Sequence, residues 1–388
     1  MSRRIAFMAV PEILFMLLLS SPATAAEPFP VAAAGCLEPL NPGEPLPHLR
    51  VRAALRTGDG EVVAETILRL TNGSRVPLEE LPLLFPAALF HHPEEDLDDR
   101  NFPWRYPGGV STALCQVVSA RVLEGDPGIA EGAEGPCRAV HHLHLTRPLE
   151  PGATLTLSLT TRIRPPRRFG TFGVARGMVT LRGGWHPVLP SLEGAGFRID
   201  AGPGPSVVDA EVCPDERTQI LLGPVLGPAT PGLPAAWSGT LHEPLLLAAA
   251  PDLRRTAIQE GTRRVDLVHR SRDPGPGDTE APGELLQWDW PAEREAGIRR
   301  VLRGLLDPFD GLAWTVLVAP LGEALAVPGR ETVVISDALY QITDVDLLRR
   351  YHDEALAATL LAASQRGQQP LVHPYLALLT GLLIRQRV

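Results

Sequence analysis

The chain has 388 residues, of which 44% are hydrophobic and 5% aromatic, and its formal net charge is −9 with only Arg supplying basic side chains. This length suggests two or three domains, and the composition indicates a folded globular protein, not a disordered or multi-span membrane protein. The acidic balance argues against nucleic acid as a partner. Because the sequence contains no Lys, mechanisms that need a Lys nucleophile, a Schiff base or a P-loop are excluded.

The N-terminus has the three parts of a secretory signal. Arg3 and Arg4 precede an apolar run over residues 13–19, and Ala23-Thr24-Ala25 is an A-x-A cleavage site. The pattern predicts a signal peptide over residues 1–26 and an exported protein, located in the periplasm, the cell envelope or outside the cell. An uncleaved anchor is less favoured, because a membrane span needs about 20 apolar residues; membrane association stays open.

The next part of the chain has a β pattern. Val51–Arg56 and Glu61–Leu70 alternate apolar and polar residues on either side of the turn Gly58-Asp59-Gly60, and similar short strands follow at regular spacing. Such strands with turn signals predict a β-sandwich, which we assign to residues 27–244.

Export makes the four cysteines candidates for disulfides. Cys115 and Cys137 flank a turn between two strand-like runs, so a Cys115–Cys137 bridge is the preferred pair. Buried free thiols are the alternative, and the pairing of Cys36 and Cys213 stays open.

Two histidine clusters lie in this β region. His142 and His144 share one face of a predicted strand, so a metal pair is sterically possible, although structural or surface residues are favoured. His91 and His92 precede the acidic run 94–99, where a solvated loop is favoured over a loose cation site.

Trp185 and His186 follow two Gly residues and precede a Pro. A packed corner at a sheet edge is favoured over an exposed binding aromatic.

Mixed helical and strand patterns begin after Pro244, and we assign residues 245–388 to an α+β domain. Leu348, Ala355, Leu356, Thr359 and Leu360 recur at helical spacing, which predicts that they lie on one face of a helix and that this face is buried. The predicted elements are the strands Leu245–Ala250, Val265–His269, Trp314–Ala319 and Glu331–Ser336, and the helices Ala292–Leu306, Asp344–Gln365 and Leu371–Arg385.

The sequence His352-Asp353-Glu354-Ala355-Leu356 almost spells the zinc-binding motif H-E-x-x-H. In that motif two His bind Zn²⁺ from one helical face and the Glu is the general base. Here Glu354 stands one position late and Leu356 occupies the second ligand position. His352 and Glu354 are therefore at most remnants of a catalytic site, and the sequence predicts no metal site there.

The order of these parts resembles the M1 aminopeptidases, the zinc peptidases related to membrane alanyl aminopeptidase. Phe169–Gly173 with Gly184–Pro187 is similar to the family stretch near the active-site rim, and Ala249–Leu253 is similar to the opening of its catalytic domain. The resemblance covers roughly residues 45–365 and implies a β-sandwich followed by a partial thermolysin-like domain.

The family's G-x-M-E-N strand, which anchors the substrate amine, is expected between Pro320 and Thr332. The chain has no Met-Glu-Asn there, but Glu323 or Glu331 could still bind an amine. No Glu or Asp follows residue 365 to act as the third zinc ligand. The resemblance thus implies an M1-like protein that is not an active peptidase, needs no cofactor, and binds a peptide or protein partner. The N-terminal signal separately predicts that this protein is exported.

Two alternatives stay open. One is a zinc aminopeptidase whose site is completed by residues outside this chain, in which case zinc is the cofactor. The other is a cell-envelope interaction domain unrelated to peptidases.

Overall fold

A computed structural model describes residues 46–93, 97–99, 102–130, 132–228, 230, 233–241, 243–271, 290–304, 313–322, 324, 326–329, 332–337 and 351–360. These residues all fall within one compact unit. The predicted signal peptide, Cys36 and the helix Leu371–Arg385 lie outside the described residues. None of the helices within them is long and apolar enough to cross a membrane.

The elements of the described residues are mostly strands. A 3-10 helix covers Pro86–Phe90, and the α-helices are α1 (Phe102–Arg105), α2 (Trp290–Gly304) and α3 (residues 351–360). The strands in chain order are β1 (His48–Arg56), β2 (Glu61–Thr71), β3 (Leu78–Leu84), β4 (Leu114–Glu124), β5 (Gly135–Pro136), β6 (Val140–Leu149), β7 (Thr154–Arg164), β8 (Phe172–Ala175), β9 (Met178–Arg182), β10 (Pro190–Glu193), β11 (Gly196–Pro203), β12 (Ser206–Pro214), β13 (Gln219–Leu222), β14 (Val225–Leu226), β15 (Ala235–Leu241), β16 (Leu246–Ala250), β17 (Leu253–Glu260), β18 (Arg263–Arg270), β19 (Ala313–Ala319), β20 (Ala326–Val327) and β21 (Thr332–Ser336).

The first sheet has seven strands in the order β15-β12-β1-β2-β7-β4-β5. All its pairs are antiparallel except β1 with β12. Val51, Ala53 and Leu55 of β1 are buried while the residues between them are partly exposed, because successive side chains of a strand point to opposite faces. The ribbon of β3 and β6 packs on this sheet through Leu81, Leu83 and Leu143.

The second sheet, in the order β14-β13-β16-β9-β8, is buried on both faces. Leu247 and Ala249 of β16 pack in the core shared with the first sheet. Leu246 and Ala248 of the same strand pack in a different cluster, shared with the third sheet. The unbroken apolar run of β16 is what a strand covered on both sides requires.

The third sheet has the order β17-β18-β19-β21-β20. The three central strands β18, β19 and β21 are parallel, and the edge strands β17 and β20 run antiparallel to their neighbours. Leu317 and Val334 face the second sheet, whereas Val316 and Val333 face α2 and α3. The predicted mainly β fold followed by an α+β part is confirmed.

Two details differ from the sequence pattern. β17 is not predicted by it, because Arg254 and Arg255 are both exposed and break the alternation of polar and apolar residues. β16, which follows Pro244, pairs with β9 and β13, which precede it. The domain limits 27–244 and 245–388 stay a prediction.

Candidate functional site

The helix α3 carries the residues that resemble a zinc motif. Leu356 and Leu360 are fully buried and belong to the same cluster as Val333 and Ile335 of β21, so the predicted packing of this helix on the sheet is confirmed. Thr359 is buried as predicted, Ala355 is half-buried, and Leu348 lies outside the described residues. The second ligand position of the motif is therefore occupied by a core side chain.

His352 and Asp353 form a buried polar cluster between α3 and α2. His352 is 3% exposed and Asp353 7%. His352 Nδ1 lies 3.1 Å from Asp353 Oδ1, and Arg300 of α2 donates to the two carboxylate oxygens at 2.9 and 3.3 Å. Because a charge is buried at low cost only when it is paired, Arg300 is what allows Asp353 to lie inside.

A glycine makes this close approach of the two helices possible. A Cβ atom added at Gly297 of α2 would lie 2.8 Å from His352 Nδ1 and Cε1, and 3.2 Å from Asp353 Oδ1. The imidazole thus occupies the volume that a side chain of α2 would fill. Sequence reasoning missed Gly297 and Arg300, since neither stands in a motif.

Glu354 is half-buried and lies two residues beyond His352, which places it about 200° around the helix. A general base next to the first ligand would lie about 100° away. In the part of the chain that the structure describes, no group of three or more His, Cys, Asp or Glu side chains is arranged to hold a metal ion.

Trp185 and His186 are both buried, with 0% and 2% exposure, which matches the packed-corner alternative and leaves neither side chain on the surface. Trp185 Nε1 donates to the Leu245 carbonyl at 2.8 Å, and His186 Nδ1 lies 2.8 Å from the Pro187 carbonyl. Burial lowers the pKa of His186 from 6.5 to about 4, although the Pro187 carbonyl opposes this by accepting a hydrogen bond. The imidazole is therefore neutral at pH 7.

Glu323 and Glu331, the candidates for binding an amine, lie outside the described residues. Within the described residues, a shallow pocket contains a different acid, Glu243. Arg182 Nη2 lies 3.5 Å from Glu243 Oε2 and also donates to the Pro328 carbonyl. The pocket is lined by Arg182, Gly223, Leu241, Glu243, Pro244, Leu245, Leu246 and Thr332. The sequence pattern did not single out Arg182 or Glu243, because they come together from separate strands and loops.

A second set of charges meets at the carboxyl ends of the parallel strands. Arg176 Nη1 donates to Asp337 Oδ2 at 2.9 Å, and Arg270 Nε donates to Asp252 Oδ1 at 2.8 Å. Burial raises the pKa of Asp337, while the nearby cations Arg176, Arg294 and Arg270 oppose that rise. The Arg176–Asp337 pair and a hydrogen bond that Arg270 donates to the Arg176 carbonyl tie the β8–β9 hairpin to the third sheet.

Cys115 and Cys137 lie side by side. The Cys137 amide donates to the Cys115 carbonyl at 2.9 Å, and both thiols are buried and free in the structure. A hydrogen bond between the thiols, together with burial, raises the pKa of Cys115. A disulfide between them stays a prediction.

Among the histidines on strands, His142 and His144 share a face as predicted. Their rings stack 6.4 Å apart, and Glu80 of the neighbouring strand lies between them. His91 is half-buried, and burial followed by the charge of His92 lowers its pKa; residues 94–96 of the acidic run lie outside the described residues.

No family model matches the sequence, and no curated protein matches it. The solved structures that this fold resembles include an M1 zinc metallopeptidase from Deinococcus radiodurans, at 17% identity and a TM-score of 0.46 over 81% of this chain and 63% of that one. Another is an aminopeptidase N family protein from Idiomarina loihiensis, at 8% identity and a TM-score of 0.44 over 81% of this chain and 47% of that one. The structural neighbours are thus M1 zinc metallopeptidases, the family that the sequence resembles, and this chain spans less than two thirds of their length.

Proposed function

We propose that this protein is an exported M1-like protein without peptidase activity that binds a peptide or another protein. The environment of α3 supports the proposed lack of peptidase activity. A catalytic zinc site needs three protein ligands and an open position for water. Of the two zinc-ligand positions in the motif, only the first carries a ligand side chain, that of His352. The second is occupied by Leu356, which is buried in the hydrophobic core.

The cluster around His352 also lacks room for the chemistry. Its imidazole packs against Gly297 of α2. The neighbouring Asp353 is ion-paired with Arg300, with 2.9 Å between Asp353 Oδ2 and Arg300 Nε. Peptide hydrolysis by a metallopeptidase needs a polarised carbonyl and an activated water in an open cleft. A buried, ion-paired cluster supports packing of the two helices instead.

The binding half of the proposal rests on the shallow pocket where the second and third sheets meet. Glu243 and Arg182 both line it with side chains about one-fifth to one-quarter exposed, 20% and 24% respectively. A carboxylate is complementary to a peptide's terminal ammonium group, and a guanidinium is complementary to a carboxylate. Because Glu243 is paired with Arg182 at 3.5 Å, a peptide's terminal ammonium group would bind by taking the place of Arg182 beside this carboxylate.

Peptidase activity is tested with the mature chain purified without affinity-tag histidines. We expect no hydrolysis of aminoacyl amides that is sensitive to a chelator, and no zinc whose binding depends on His352. Chelator-sensitive turnover that disappears in His352→Gln would overturn the proposal and favour a zinc aminopeptidase completed by residues outside this chain.

Peptide binding is tested by calorimetry with short peptides that have free or blocked termini. We expect a peptide with a free N-terminus to bind, and Glu243→Gln to weaken that binding at least fivefold. Glu193→Gln is the matched control, because Glu193 forms an exposed ion pair with Arg198 at 3.5 Å outside the pocket. Equal binding of free and N-blocked peptides, or equal losses in both variants, would show that the pocket does not read a peptide terminus.

A further inference from the structure

One asparagine side chain holds the connection between β2 and β3. Asn72 Nδ2 donates to the Val76 carbonyl at 2.9 Å and to the Leu149 carbonyl at 2.8 Å. Its Oδ1 accepts from the Ser74 amide at 3.0 Å and from the Ser74 hydroxyl at 2.7 Å. These bonds link the end of β2 to the segment before β3 and to the end of β6, so the carboxamide joins the first sheet to the β3–β6 ribbon.

The position requires an amide. A carboxamide offers two N–H donors and an acceptor oxygen, and Asn72 uses all of them while it is 1% exposed. Its main chain is held as well, because the Asn72 amide donates to the Ala153 carbonyl at 2.9 Å and its carbonyl accepts from the Gly152 amide at 2.8 Å. An ionised Asp has no donors, so it would place a buried oxygen against two carbonyl groups.

The same residue stands in the dipeptide Asn-Gly, where the side-chain amide is chemically least stable. Asn72 is followed by Gly73, whereas the other two Asn of the chain, Asn41 and Asn101, are not followed by Gly. Gly has no Cβ and adopts backbone conformations that other residues avoid. In an unfolded chain its nitrogen therefore approaches the preceding side chain with little hindrance.

We propose that Asn72 is a deamidation site that the folded protein keeps closed and that unfolding opens. The Gly73 nitrogen forms a bond to Asn72 Cγ, the Cγ–Nδ2 bond breaks, and ammonia leaves with the proton that the Gly73 nitrogen loses. Water then adds to either carbonyl of the cyclic imide and opens it to Asp or isoaspartate. The reaction consumes one water and involves no change of oxidation state.

The folded structure keeps the site closed because ammonia cannot leave until both hydrogen bonds from Nδ2 break. The rate in the native protein is then set by the fraction of molecules in which this turn is open. After deamidation the native contacts cannot form again. A carboxylate would face the Val76 and Leu149 carbonyls, and burying an unpaired charge is costly, while isoaspartate also lengthens the main chain. Unfolding thereby becomes irreversible.

The test uses the mature full-length chain under reducing conditions at mildly alkaline pH, either folded or held unfolded in urea. Deamidation is followed by released ammonia and by the mass of the peptide that contains residue 72. Isoaspartate content alone is not diagnostic, because Asp59-Gly60 forms the same imide without releasing ammonia. We expect the unfolded chain to deamidate at Asn72 at least tenfold faster than the folded protein, and the yield of refolded protein to fall in step.

Gly73→Ala separates this chemistry from other causes of irreversible unfolding. Among the described residues, no heavy atom lies within 4 Å of a Cβ added at Gly73, and Gly73 does not have a positive φ, so the variant should fold. Its added methyl group hinders the attack, and we expect it to keep the amide and to refold after the same incubation in urea. Gly58→Ala is the matched control, because Gly58 has the same free space but no neighbouring Asn, and it should lose refolding as the parent does.

Asn72→Asp supplies one reaction product directly and should melt at a lower temperature than the parent or fail to fold. Equal deamidation rates in the folded and unfolded parent would overturn the proposal. Loss of refolding in Gly73→Ala to the same extent as in the parent would also overturn it, as would a parental melting temperature for Asn72→Asp.

Discussion

Replacing Gly297 with Ala separates two opposing effects on α2. In a helix interior, Ala is more favourable than Gly by about 1 kcal/mol, so propensity alone predicts stabilisation. The added methyl group, however, would lie 2.8 Å from two atoms of the His352 ring. That ring is 3% exposed and has little space to move.

Overpacking a core of this kind costs typically about 1–3 kcal/mol. Because this exceeds the gain in helix propensity, we expect Gly297→Ala to lower the free energy of unfolding by about 1 kcal/mol. In a His352→Ala background the obstructing ring is gone, and the same substitution should stabilise the protein by up to about 1 kcal/mol. The sign of the effect therefore reverses, with a coupling energy of about 2 kcal/mol between the two positions.

The four proteins of this cycle are compared by urea denaturation, followed by circular dichroism and by tryptophan fluorescence. Agreement between the two probes checks that the transition is cooperative. If Gly297→Ala stabilises the protein with His352 present, or has the same effect in both backgrounds, the close packing of α3 on α2 is refuted.

The other predictions concern the cysteine pair and a buried imidazole. A non-reducing peptide map of the exported protein should link Cys115 to Cys137, and in the reduced protein both thiols should resist alkylation at pH 8, because they are buried and the pKa of Cys115 is raised. The folded pKa of His186, about 4, lies below its unfolded value of 6.5, so its contribution to stability is complete above pH 6.5 and is lost as the pH falls towards 4. At about 1.4 kcal/mol for each pH unit the loss is about 3 kcal/mol, and His186→Gln should show a flatter dependence of stability on pH over this range.

A specific result would refute each of these two predictions. A linkage of Cys115 or Cys137 to another cysteine would refute the pairing. Equal pH slopes for the wild type and His186→Gln would show that this imidazole is protonated in the folded protein, or that it becomes solvated before the protein unfolds.

The sequence by itself determined the kinds of element and the loss of the zinc motif. Alternation of apolar residues in β1 and β2 is a local property, and a strand with one covered face displays it directly. Leu356 cannot bind a metal in any fold. Its burial, too, followed from the helical spacing of apolar residues around it.

Only the tertiary structure decided which polar side chains meet. Glu80 lies 62 residues before His142 in the chain, and only the register of β3 against β6 brings them within 2.8 Å. Asp353 accepts a hydrogen bond from Arg300, and the His352 ring packs against Gly297. Both contacts form because two helices that are far apart in sequence cover the same face of one sheet. Contacts of this kind depend on how whole elements pack, which the local periodicity that predicts each element does not specify.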